Sequence, residues 1–364
     1  MEQKAKEIIL LANQLMEKRE WQKALEIVYQ GIQFDQRNYE LYFMLAQCKE
    51  MLGAGQQAAL SYENALFYAN DEDYSIIEEC YLAFLSSLSE MPKKLSFILV
   101  TYNQLDITRL CVESIRNTCP SGSYEIVAVD NLSTDGTRKW LAEQSDIRTI
   151  FNESNRGFPA ACNQGAAFAS KGNDIFLLNN DTVLMENSVY NLRMALYDSE
   201  NIGAVGACSN SVSNMQQIEE NFDSFEEYMV YAEKNNRYSP NRHEKRLRLI
   251  GFAMMLRRSI WNRVQGFDER YGIGNYEDDD LCMKLLKQGM DLVFCRDSFI
   301  FHFGSSSFKA LNSEKQNEYQ KVLLKNKQIF EEKWGIKWED FYNNPNNIIP
   351  HSSTDSYKTD PPAL

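Results

Sequence analysis

Between residues 95 and 199, short apolar runs alternate with longer amphipathic stretches, and no other feature constrains the fold as strongly. The pattern predicts strands at 95–101, 124–130, 147–151 and 174–179. It predicts intervening or following helices at 104–118, 134–144, 158–170 and 187–199. Such alternation is typical of βαβ units in a largely parallel sheet with helices on both faces. Further along the chain we expect strands at 203–207 and 249–256, a helix beginning near Tyr276 and a last helix at 313–333.

The first 92 residues carry a different pattern, in which small residues recur 34 positions apart. Ala12 and Ala46 form one such pair, and Ala24 and Ala58 form another. This period resembles tetratricopeptide repeats, in which small side chains let paired helices pack closely. A generic helical bundle is the alternative. We expect a tetratricopeptide-like module at 1–92, an α/β domain at 93–334 and a disordered tail at 335–364.

Charge and cysteine content exclude several classes of protein. The formal net charge of −13 argues against non-specific nucleic-acid binding, which needs a basic surface. Residues 1–92 alone hold seven basic and fifteen acidic residues, a net charge of −8. None of the eight cysteines has C-x-x-C spacing, which indicates reduced thiols and a cytoplasmic location. No apolar stretch reaches the roughly 18 residues that a membrane-spanning helix needs, so we expect no transmembrane segment.

Polar side chains follow three of the predicted strands at the points where the strands end. They belong to Thr101-Tyr102-Asn103, Asp130-Asn131 and Asn179-Asn180-Asp181. Open α/β sheets bind ligands at the carboxyl ends of their strands, so these groups are expected to share one site. Each stretch also has a purely structural interpretation, because Asn, Asp and Ser form turns and cap helices.

These groups suit a nucleotide diphosphate. Asp130 can accept a hydrogen bond from a pyrimidine N3–H or a ribose hydroxyl, while Asp135-Gly136 reads as the following turn. Asn179 or Asn180 can hold the ribose. Asp181 is the predicted metal ligand, since a diphosphate leaving group needs a divalent cation and oxygen ligands suit Mg²⁺ or Mn²⁺. Arg156 either contacts the nucleotide or is an ordinary surface arginine.

Two later motifs add acids and an imidazole. Glu277-Asp278-Asp279-Asp280 opens a predicted helix; such acids stabilise a helix dipole, but their mutual repulsion also raises a carboxylate pKa and makes a better base. His302 lies between two phenylalanines at a strand end, and an imidazole ligand would favour Mn²⁺ over Mg²⁺. The segment 237–258 carries seven Lys and Arg and one acid, which indicates either a mobile loop that closes over a diphosphate or a solvated loop.

Taken in order, these motifs resemble the family 2 glycosyltransferases, which have the GT-A fold. The resemblance covers about residues 95–310, and it is carried by V-T-Y-N, V-D-N-x-S-x-D-G-T, N-R-G-F, N-N-D-T, G-F-D-E, E-D-D-D-L and the late histidine. The family implies a nucleotide-sugar-binding GT-A fold and a metal-dependent, inverting transfer. Asn179 departs from the family, which often has the first Asp of a D-x-D motif there.

The resemblance also implies roles for individual residues. The residues expected to bind the nucleotide are Thr101, Tyr102, Asn103, Asp130, Arg156, Asn179 and Asn180. Asp181, the final acid of D-x-D, would bind the metal with His302. Asp278 would be the catalytic base, with Glu277 beside it as the second catalytic candidate.

The predicted function is sugar transfer from a nucleotide-sugar donor, with UDP as the expected nucleotide, to an acceptor hydroxyl on a protein or a surface-glycan precursor. The helical module would bind a protein acceptor or a partner enzyme. Two alternatives stay open: a helical-repeat scaffold with a degenerate transferase domain, and a sugar nucleotidyltransferase. The run at 277–280 and His302 favour sugar transfer.

Overall fold

The computed structural model describes residues 2–212, 216–304 and 313–342, and it has an α/β fold preceded by five helices. In these residues the sheet has nine strands: β1 Leu95–Thr101, β2 Tyr124–Asp130, β3 Ile147–Phe151, β4 Asp174–Asn179, β5 Thr182–Leu184, β6 Ile202–Cys208, β7 His243–Arg246, β8 Ala253–Leu256 and β9 Asp291–His302. Their order is β3-β2-β1-β4-β8-β6-β9-β5, with β7 paired to β9.

The α-helices are α1 Glu2–Glu17, α2 Trp21–Ile32, α3 Tyr39–Met51, α4 Gly55–Tyr68, α5 Asp71–Ser87, α6 Leu105–Thr118, α7 Thr137–Ala142, α8 Phe158–Phe168, α9 Ser188–Leu196, α10 Phe225–Asn235, α11 Arg258–Arg263, α12 Glu277–Lys287, α13 Ser313–Trp334 and α14 Trp338–Tyr342. Short 3₁₀ turns lie at Pro240–Arg242 and Glu269–Tyr271. Among the described helices, none combines the length and apolarity that crossing a membrane requires.

The first half of the sheet is parallel and the second half is mixed. β3, β2, β1 and β4 run parallel to one another, and β6 runs parallel to β9. β8 is antiparallel to both β4 and β6, and β5 and β7 are antiparallel to β9. The predicted strands from β1 to β4 are confirmed, whereas β5, β7 and α10 lie in stretches whose periodicity was too weak to predict them.

Two apolar cores lie on opposite faces of this sheet, because side chains alternate along each strand. Phe97 and Phe176 point to one face, with ring centroids 5.1 Å apart, and this core continues into α1–α5. Ile98 and Leu177 point to the other face, which is covered by α8, α12 and α13. The helical module therefore shares its core with the α/β domain.

Polar contacts join α4 to α9 and to Asn187, the residue before α9. Glu63 and Arg193 form an ion pair of 2.6 Å, and Gln57 donates to the Met194 carbonyl at 2.8 Å. Asn64 and Tyr68 both donate to Asn187 Oδ1, at 3.3 and 3.2 Å. The paired alanines at 12, 24, 46 and 58 are all buried, as close helix packing requires. The five helices are thus present, while their tetratricopeptide character stays a prediction.

The predicted tail begins too early. The helix α14 occupies Trp338–Tyr342, where an irregular segment was expected, and its Phe341 is buried against Phe330. This short helix was unpredictable locally because its stability comes from tertiary packing. The remainder of the predicted tail, 343–364, lies outside the described residues.

Candidate functional site

The strand ends predicted to carry the site lie side by side. Thr101 and Asp130 are register partners at the ends of β1 and β2, and Asn179 lies opposite Val100 at the end of β4. Three of the predicted residues thus lie at the carboxyl edge of the parallel half of the sheet, where open α/β sheets bind their ligands.

Asp130 is wholly buried beneath this edge. Its Oδ2 accepts from Thr101 Oγ1 at 3.1 Å, and its Oδ1 accepts from the Ser133 amide at 3.1 Å and lies 3.2 Å from Arg138 Nη1. Arg138 therefore supplies the countercharge that a buried carboxylate needs. Thr101 is also fully buried, so its hydroxyl supports Asp130 and offers no exposed surface to a ligand.

The loop after β1 presents an aromatic ring and joins the loop after β2. Tyr102 is 50% exposed at this edge. The Asn103 amide donates to Ser133 Oγ at 2.7 Å, and Asn103 Oδ1 accepts from the Thr134 amide at 2.7 Å. Asn103 thus joins the two loops, while Tyr102 is available for stacking.

The turn and the arginine predicted nearby are both in place. Asp135 Oδ1 accepts from the Thr137 amide at 3.1 Å, and Gly136 has a φ of +101°, so Asp135-Gly136 forms the turn that opens α7. Arg156 lies exposed before α8, and its backbone amide is 3.4 Å from Asn131 Oδ1.

Asn179 and Asn180 take different positions. Asn180 Nδ2 donates to Thr108 Oγ1 of α6 at 2.8 Å, so its amide is already used within the fold. Asn179 is partly exposed at the end of β4. Of the two predicted ribose contacts, Asn179 is therefore better placed.

The predicted metal ligands meet although they are 121 positions apart. The antiparallel pairing of β5 with β9 sets Thr182 opposite His302, and this brings His302 Nε2 to 3.0 Å from Asp181 Oδ1. His302 Nδ1 lies 2.7 Å from the Ser211 carbonyl oxygen, which can only accept, so Nδ1 carries a proton. In the neutral imidazole the Nε2 lone pair then faces a carboxylate oxygen.

This arrangement fits a divalent cation. Metal-binding histidines typically donate their other ring N–H to a backbone carbonyl, and Nε2 beside an Asp oxygen is a reasonable donor set for Mn²⁺. Without a cation between them, His302 Nε2 and Asp181 Oδ1 can form a hydrogen bond only when Nε2 also carries a proton. The residues present therefore fit the metal that the sequence predicts.

The acidic run at the start of α12 divides into two pairs. Asp279 is buried, pairs with Arg248 and accepts from Trp338 Nε1 at 2.6 Å. Asp280 is buried, lies 2.8 Å from Lys333 Nζ and accepts from Trp334 Nε1 at 2.9 Å. These two acids hold α13 and α14, and their cationic partners offset part of the repulsion that the sequence suggested among the four acids.

Among the residues that the structure describes, no lysine or arginine forms an ion pair with Glu277 or Asp278. Asp278 accepts from the Gly251 amide at 3.1 Å and the Asp279 amide at 2.9 Å. Burial, followed by the charge of Asp279, raises the pKa of Asp278 to about 6. Glu277 is 7% exposed, and its Oε2 has no hydrogen-bond partner within the described part of the chain. Burial, followed by the charge of Asp278, holds the pKa of Glu277 well above its usual range.

Gly251 contacts Asp278, and the neighbouring Phe252 contacts His302. Neither residue was predicted from the sequence to have a role. Gly251 donates to Asp278, and a Cβ added there would lie 3.3 Å from Asp278 Cβ, tighter than usual. The Phe252 ring stacks on His302 with centroids 5.3 Å apart, and its carbonyl accepts from the Asn179 amide at 2.8 Å. Asp278 thus contacts the first residue of this dipeptide and His302 the second, while Asp181 contacts His302. A glycine before an apolar strand was the available signal.

The basic segment 237–258 is neither a closing loop nor a solvated one. All seven cationic side chains contact the protein itself. Arg257 donates to the Leu196 and Ser199 carbonyls, and Arg258 donates to the Asn173 and Ala166 carbonyls. The other partners are Gln33 and Glu233 for Arg237, Asn235 and Arg296 for Arg242, Asp291 for Lys245, Glu244 for Arg246 and Asp279 for Arg248.

A second group of ligand-type atoms lies on β7 and β9. His243 Nε2 is 3.0 Å from Asp297 Oδ1, and the ligand atoms of His243, Cys295 and Asp297 lie within 4.8 Å of one another. Asp297 Oδ2 also accepts from the Ser239 amide at 2.8 Å. Hydrogen bonds thus already engage both Asp297 oxygens.

Comparison with known proteins bears on the same region. Residues 96–264 match the model of the family described as Glycosyl transferase family 2. Over these residues the chain resembles a family 2 glycosyltransferase domain. Glycosyltransferase is accordingly the class of enzyme to which this domain belongs. The matched residues end before Glu277 and His302, so the second half of the site rests on its geometry.

Two relatives match part of this chain over part of their own length. An uncharacterized protein of Sinorhizobium fredii, y4gI, is 25% identical over 223 residues, which are 58% of this chain and 24% of that protein. The poly(ribitol-phosphate) beta-glucosyltransferase of Bacillus spizizenii is 28% identical over 113 residues, which are 30% of this chain and 18% of that protein. The chain therefore spans at most a quarter of either relative.

A solved structure shares the fold of the glycosyltransferase domain. The crystal structure of GalNAc-T7 with UDP, GalNAc and Mn²⁺ aligns with a TM-score of 0.54 at 16% identity, over 73% of this chain and 53% of that one. This similarity supports the GT-A fold predicted from the sequence.

Proposed function

We propose that the protein is a metal-dependent, inverting glycosyltransferase that moves a sugar from a UDP-sugar to an acceptor hydroxyl. The observation that carries the proposal is the series of contacts that links Asp278 to Gly251, the adjacent Phe252 to His302, and His302 to Asp181. A carboxylate suited to act as a base is thereby linked through two neighbouring residues to a metal-type Asp–His pair, and open α/β sheets bind ligands at this edge.

Nucleotide binding would use the exposed groups of this edge. We place the base against Tyr102, the ribose near Asn179 and the diphosphate near Arg156, with Asp130, Thr101 and Asn103 holding the loops beneath. Asn180 would act through Thr108 of α6. The UDP present with GalNAc-T7, and the glucosyl transfer named for the Bacillus spizizenii relative, support a UDP-sugar donor.

The transfer would be a single displacement. Asp278 Oδ accepts the proton of the acceptor hydroxyl while that oxygen forms its bond to the anomeric carbon. The bond from the anomeric carbon to the diphosphate oxygen breaks, and its electron pair leaves with the nucleoside diphosphate. Asp181 and His302 would hold a divalent cation, Mn²⁺ or Mg²⁺, which supplies positive charge for the leaving group. Glu277, whose carboxyl pKa is raised by burial, would lie beside the base.

Two further features support the proposed cytoplasmic location and the proposed protein partner. All eight cysteines are unpaired, which suits a cytoplasmic protein. Residues 1–92 carry a net charge of −8, so a protein acceptor or partner bound by the helical module would present a basic surface. That binding should weaken as salt is added.

The test is a donor panel. UDP-glucose, UDP-galactose, UDP-GlcNAc, UDP-GalNAc and GDP-mannose are each incubated with Mn²⁺, Mg²⁺ or EDTA, and nucleotide release is measured. We expect one UDP-sugar to be turned over with metal, and a loss of about 10²- to 10⁴-fold in Asp278→Asn. Asp181→Asn should lose the response to metal.

Asp146→Asn is the matched control, because Asp146 pairs with Arg116 on the exposed surface and should leave nucleotide release unchanged. Equal, metal-independent release by the wild type and Asp278→Asn with every donor would contradict the proposal.

A further inference from the structure

The loop that leads into α12 has an unusual backbone. Gly272, Gly274, Asn275 and Tyr276 all have positive φ, at 60°, 124°, 72° and 73°. Asn275 and Tyr276 are not glycines, so their left-handed conformations cost on the order of 1 kcal/mol or more each and need support from neighbours. This loop, residues 272–276, directly precedes Glu277 and Asp278.

One side of loop 272–276 rests on the loop that opens α8. A Cβ added to Gly157 would lie 1.8 Å from the Gly272 carbonyl oxygen, so the two backbones are in direct contact. Arg156 precedes this glycine, and Phe158 Cβ is 3.6 Å from where a Cβ of Gly274 would lie. The nucleotide half and the acid-bearing half of the proposed site therefore meet at loop 272–276.

The other side of the loop is held by a single buried side chain of α13. Asn326 is 1% exposed, and its Nδ2 donates to the carbonyl of Tyr271, just before the loop, at 2.8 Å, and to the loop carbonyls of Gly274 at 2.9 Å and Asn275 at 3.2 Å. Tyr319, two turns earlier on α13, donates to Asn275 Oδ1 at 3.1 Å. Backbone carbonyls of an irregular loop cannot pair within a ladder, and Asn326 satisfies three of them at once.

The contacts continue along the same edge of α12. Lys333 and Trp334 bind Asp280, and Trp338 binds Asp279. The Tyr276 ring packs edge-on against Trp338, with centroids 5.1 Å apart. The carboxyl-terminal helices therefore contact the loop and both acids that follow Asp278, while leaving Glu277 and Asp278 to the site.

From this geometry we infer that Asn326 is a positioning residue for the proposed transfer, holding loop 272–276 and thereby Glu277 and Asp278 against the donor-side loop at Gly157. The inference rests on the proposed function of Asp278. It extends the site to α13, which lies beyond the residues matched by the family model. Small displacements of a base relative to its substrate can cost about 100-fold in rate, so a loop anchor of this kind acts on turnover more than on donor affinity.

The principal variant is Asn326→Asp, which keeps the side-chain shape and replaces the donating amide by an acceptor. Asn191→Asp is the matched control. Asn191 is likewise buried in a helix and donates from Nδ2 to a backbone carbonyl, that of Asp297, but it contacts α9 and β9 away from the loop. Both variants place a carboxylate oxygen against carbonyl oxygen and should destabilise the fold to a similar degree.

The first measurement is amide hydrogen exchange followed by mass spectrometry, which does not depend on any enzymatic activity. Peptides covering 272–280 should exchange at least 10-fold faster in Asn326→Asp than in the wild type, and no faster in Asn191→Asp. Unchanged exchange over 272–280 in Asn326→Asp would overturn the inference, whatever the donor panel shows.

The second measurement separates binding from turnover with the donor found by the panel. At a temperature well below unfolding, we expect kcat for nucleotide release to fall 10- to 100-fold in Asn326→Asp, with KM for the donor within threefold of wild type. The thermal shift caused by UDP and Mn²⁺ should be preserved. Asn191→Asp should keep kcat within twofold. Faster hydrogen exchange over 272–280 together with an unchanged kcat would also overturn the inference.

A milder variant covers the case in which Asn326→Asp does not fold. Tyr319→Phe removes only the hydroxyl that binds Asn275 and should raise exchange of the same peptides with a smaller loss of kcat. If both measurements match the wild type in Tyr319→Phe and Asn326→Ser, α13 does not position the acids. A panel without turnover would reject the proposed function while the exchange result still decides whether Asn326 holds the loop.

Discussion

Five carboxylates near the candidate site, four buried and one, Asp278, partly buried, fall into two groups according to their partners. Asp130, Asp279 and Asp280 each contact an arginine or lysine that offsets their charge. Glu277 and Asp278 accept hydrogen bonds from backbone amides, and burial raises the pKa of both. Poorly compensated acids are typical of active sites, because their charge costs folding free energy that a structural acid would avoid.

The raised pKa of Asp278 sets the expected pH dependence of the reaction. A general base works only when ionised, and burial and Asp279 raise the pKa of Asp278 from 3.8 to about 6. Nucleotide release should therefore increase with pH and reach half its plateau near pH 6, falling about tenfold per pH unit below that. The measurement is kcat/KM for the donor between pH 4.5 and 8.5. A profile already flat at pH 5 would exclude Asp278 as the base.

The same pKa shift predicts that removing the acid stabilises the protein. Because the folded-state pKa lies above the unfolded value, the wild type loses stability as pH rises from about 4 to 6, as Asp278 ionises within the fold. Asp278→Asn carries no charge and should be more stable by about 2 kcal/mol at pH 7.5. The gain should shrink towards pH 4. Urea unfolding at both pH values measures it, and equal gains at the two would contradict this reasoning.

Single residues differ in how far the sequence predicted them. Asp181 and His302 were predictable as ligand types, and the pairing of β5 with β9 brings them together. The structural roles of Asp279 and Asp280 were not predictable, because their partners belong to helices more than fifty positions later. Sequence spacing alone cannot tell which side of a helix another element will cover.

At the scale of elements, the parallel half of the sheet, β6 and β8 were predictable, whereas β5 and β7 were not. β1 and β4 are mainly apolar, buried runs, and such runs specify a central strand wherever they fold. β5 has three residues and β7 reads His-Glu-Lys-Arg, so both owe their conformation to pairing with β9. The helix α10 did carry a local signal, the capping box of Ser224 and Glu227.

Two ion pairs joining the helical module to α9 and its approach should differ in strength because they differ in burial. Arg193 is 7% exposed where it meets Glu63, whereas Arg37 is 59% exposed where it meets Glu186. Glu63→Gln leaves a buried guanidinium without its countercharge and should cost about 3 kcal/mol, while Glu186→Gln should cost under about 1 kcal/mol. Urea unfolding of the two variants provides the comparison. Similar losses would show that the buried pair is not the stronger link.

At the scale of the whole molecule, the helical module and the glycosyltransferase domain should unfold together. One continuous apolar core runs from α1–α5 into the face of the sheet that carries Phe97 and Phe176, so neither part can lose its structure without exposing the other. We expect a single thermal transition, seen at the same temperature by calorimetry and by tryptophan fluorescence. Two separated transitions would contradict a shared core.

The contacts of Asn326, Lys333, Trp334 and Trp338 also bear on the order in which activity is acquired during biosynthesis. A ribosome releases β1, β2 and β4 long before α13 and α14, so the nucleotide edge can form while the residues that hold Glu277 and Asp278 are still being translated. If Asp278 is the base, as proposed, a nascent chain at that stage could bind a donor but would lack an ordered base. Hydrolysis of the sugar donor by unfinished chains would thereby be suppressed.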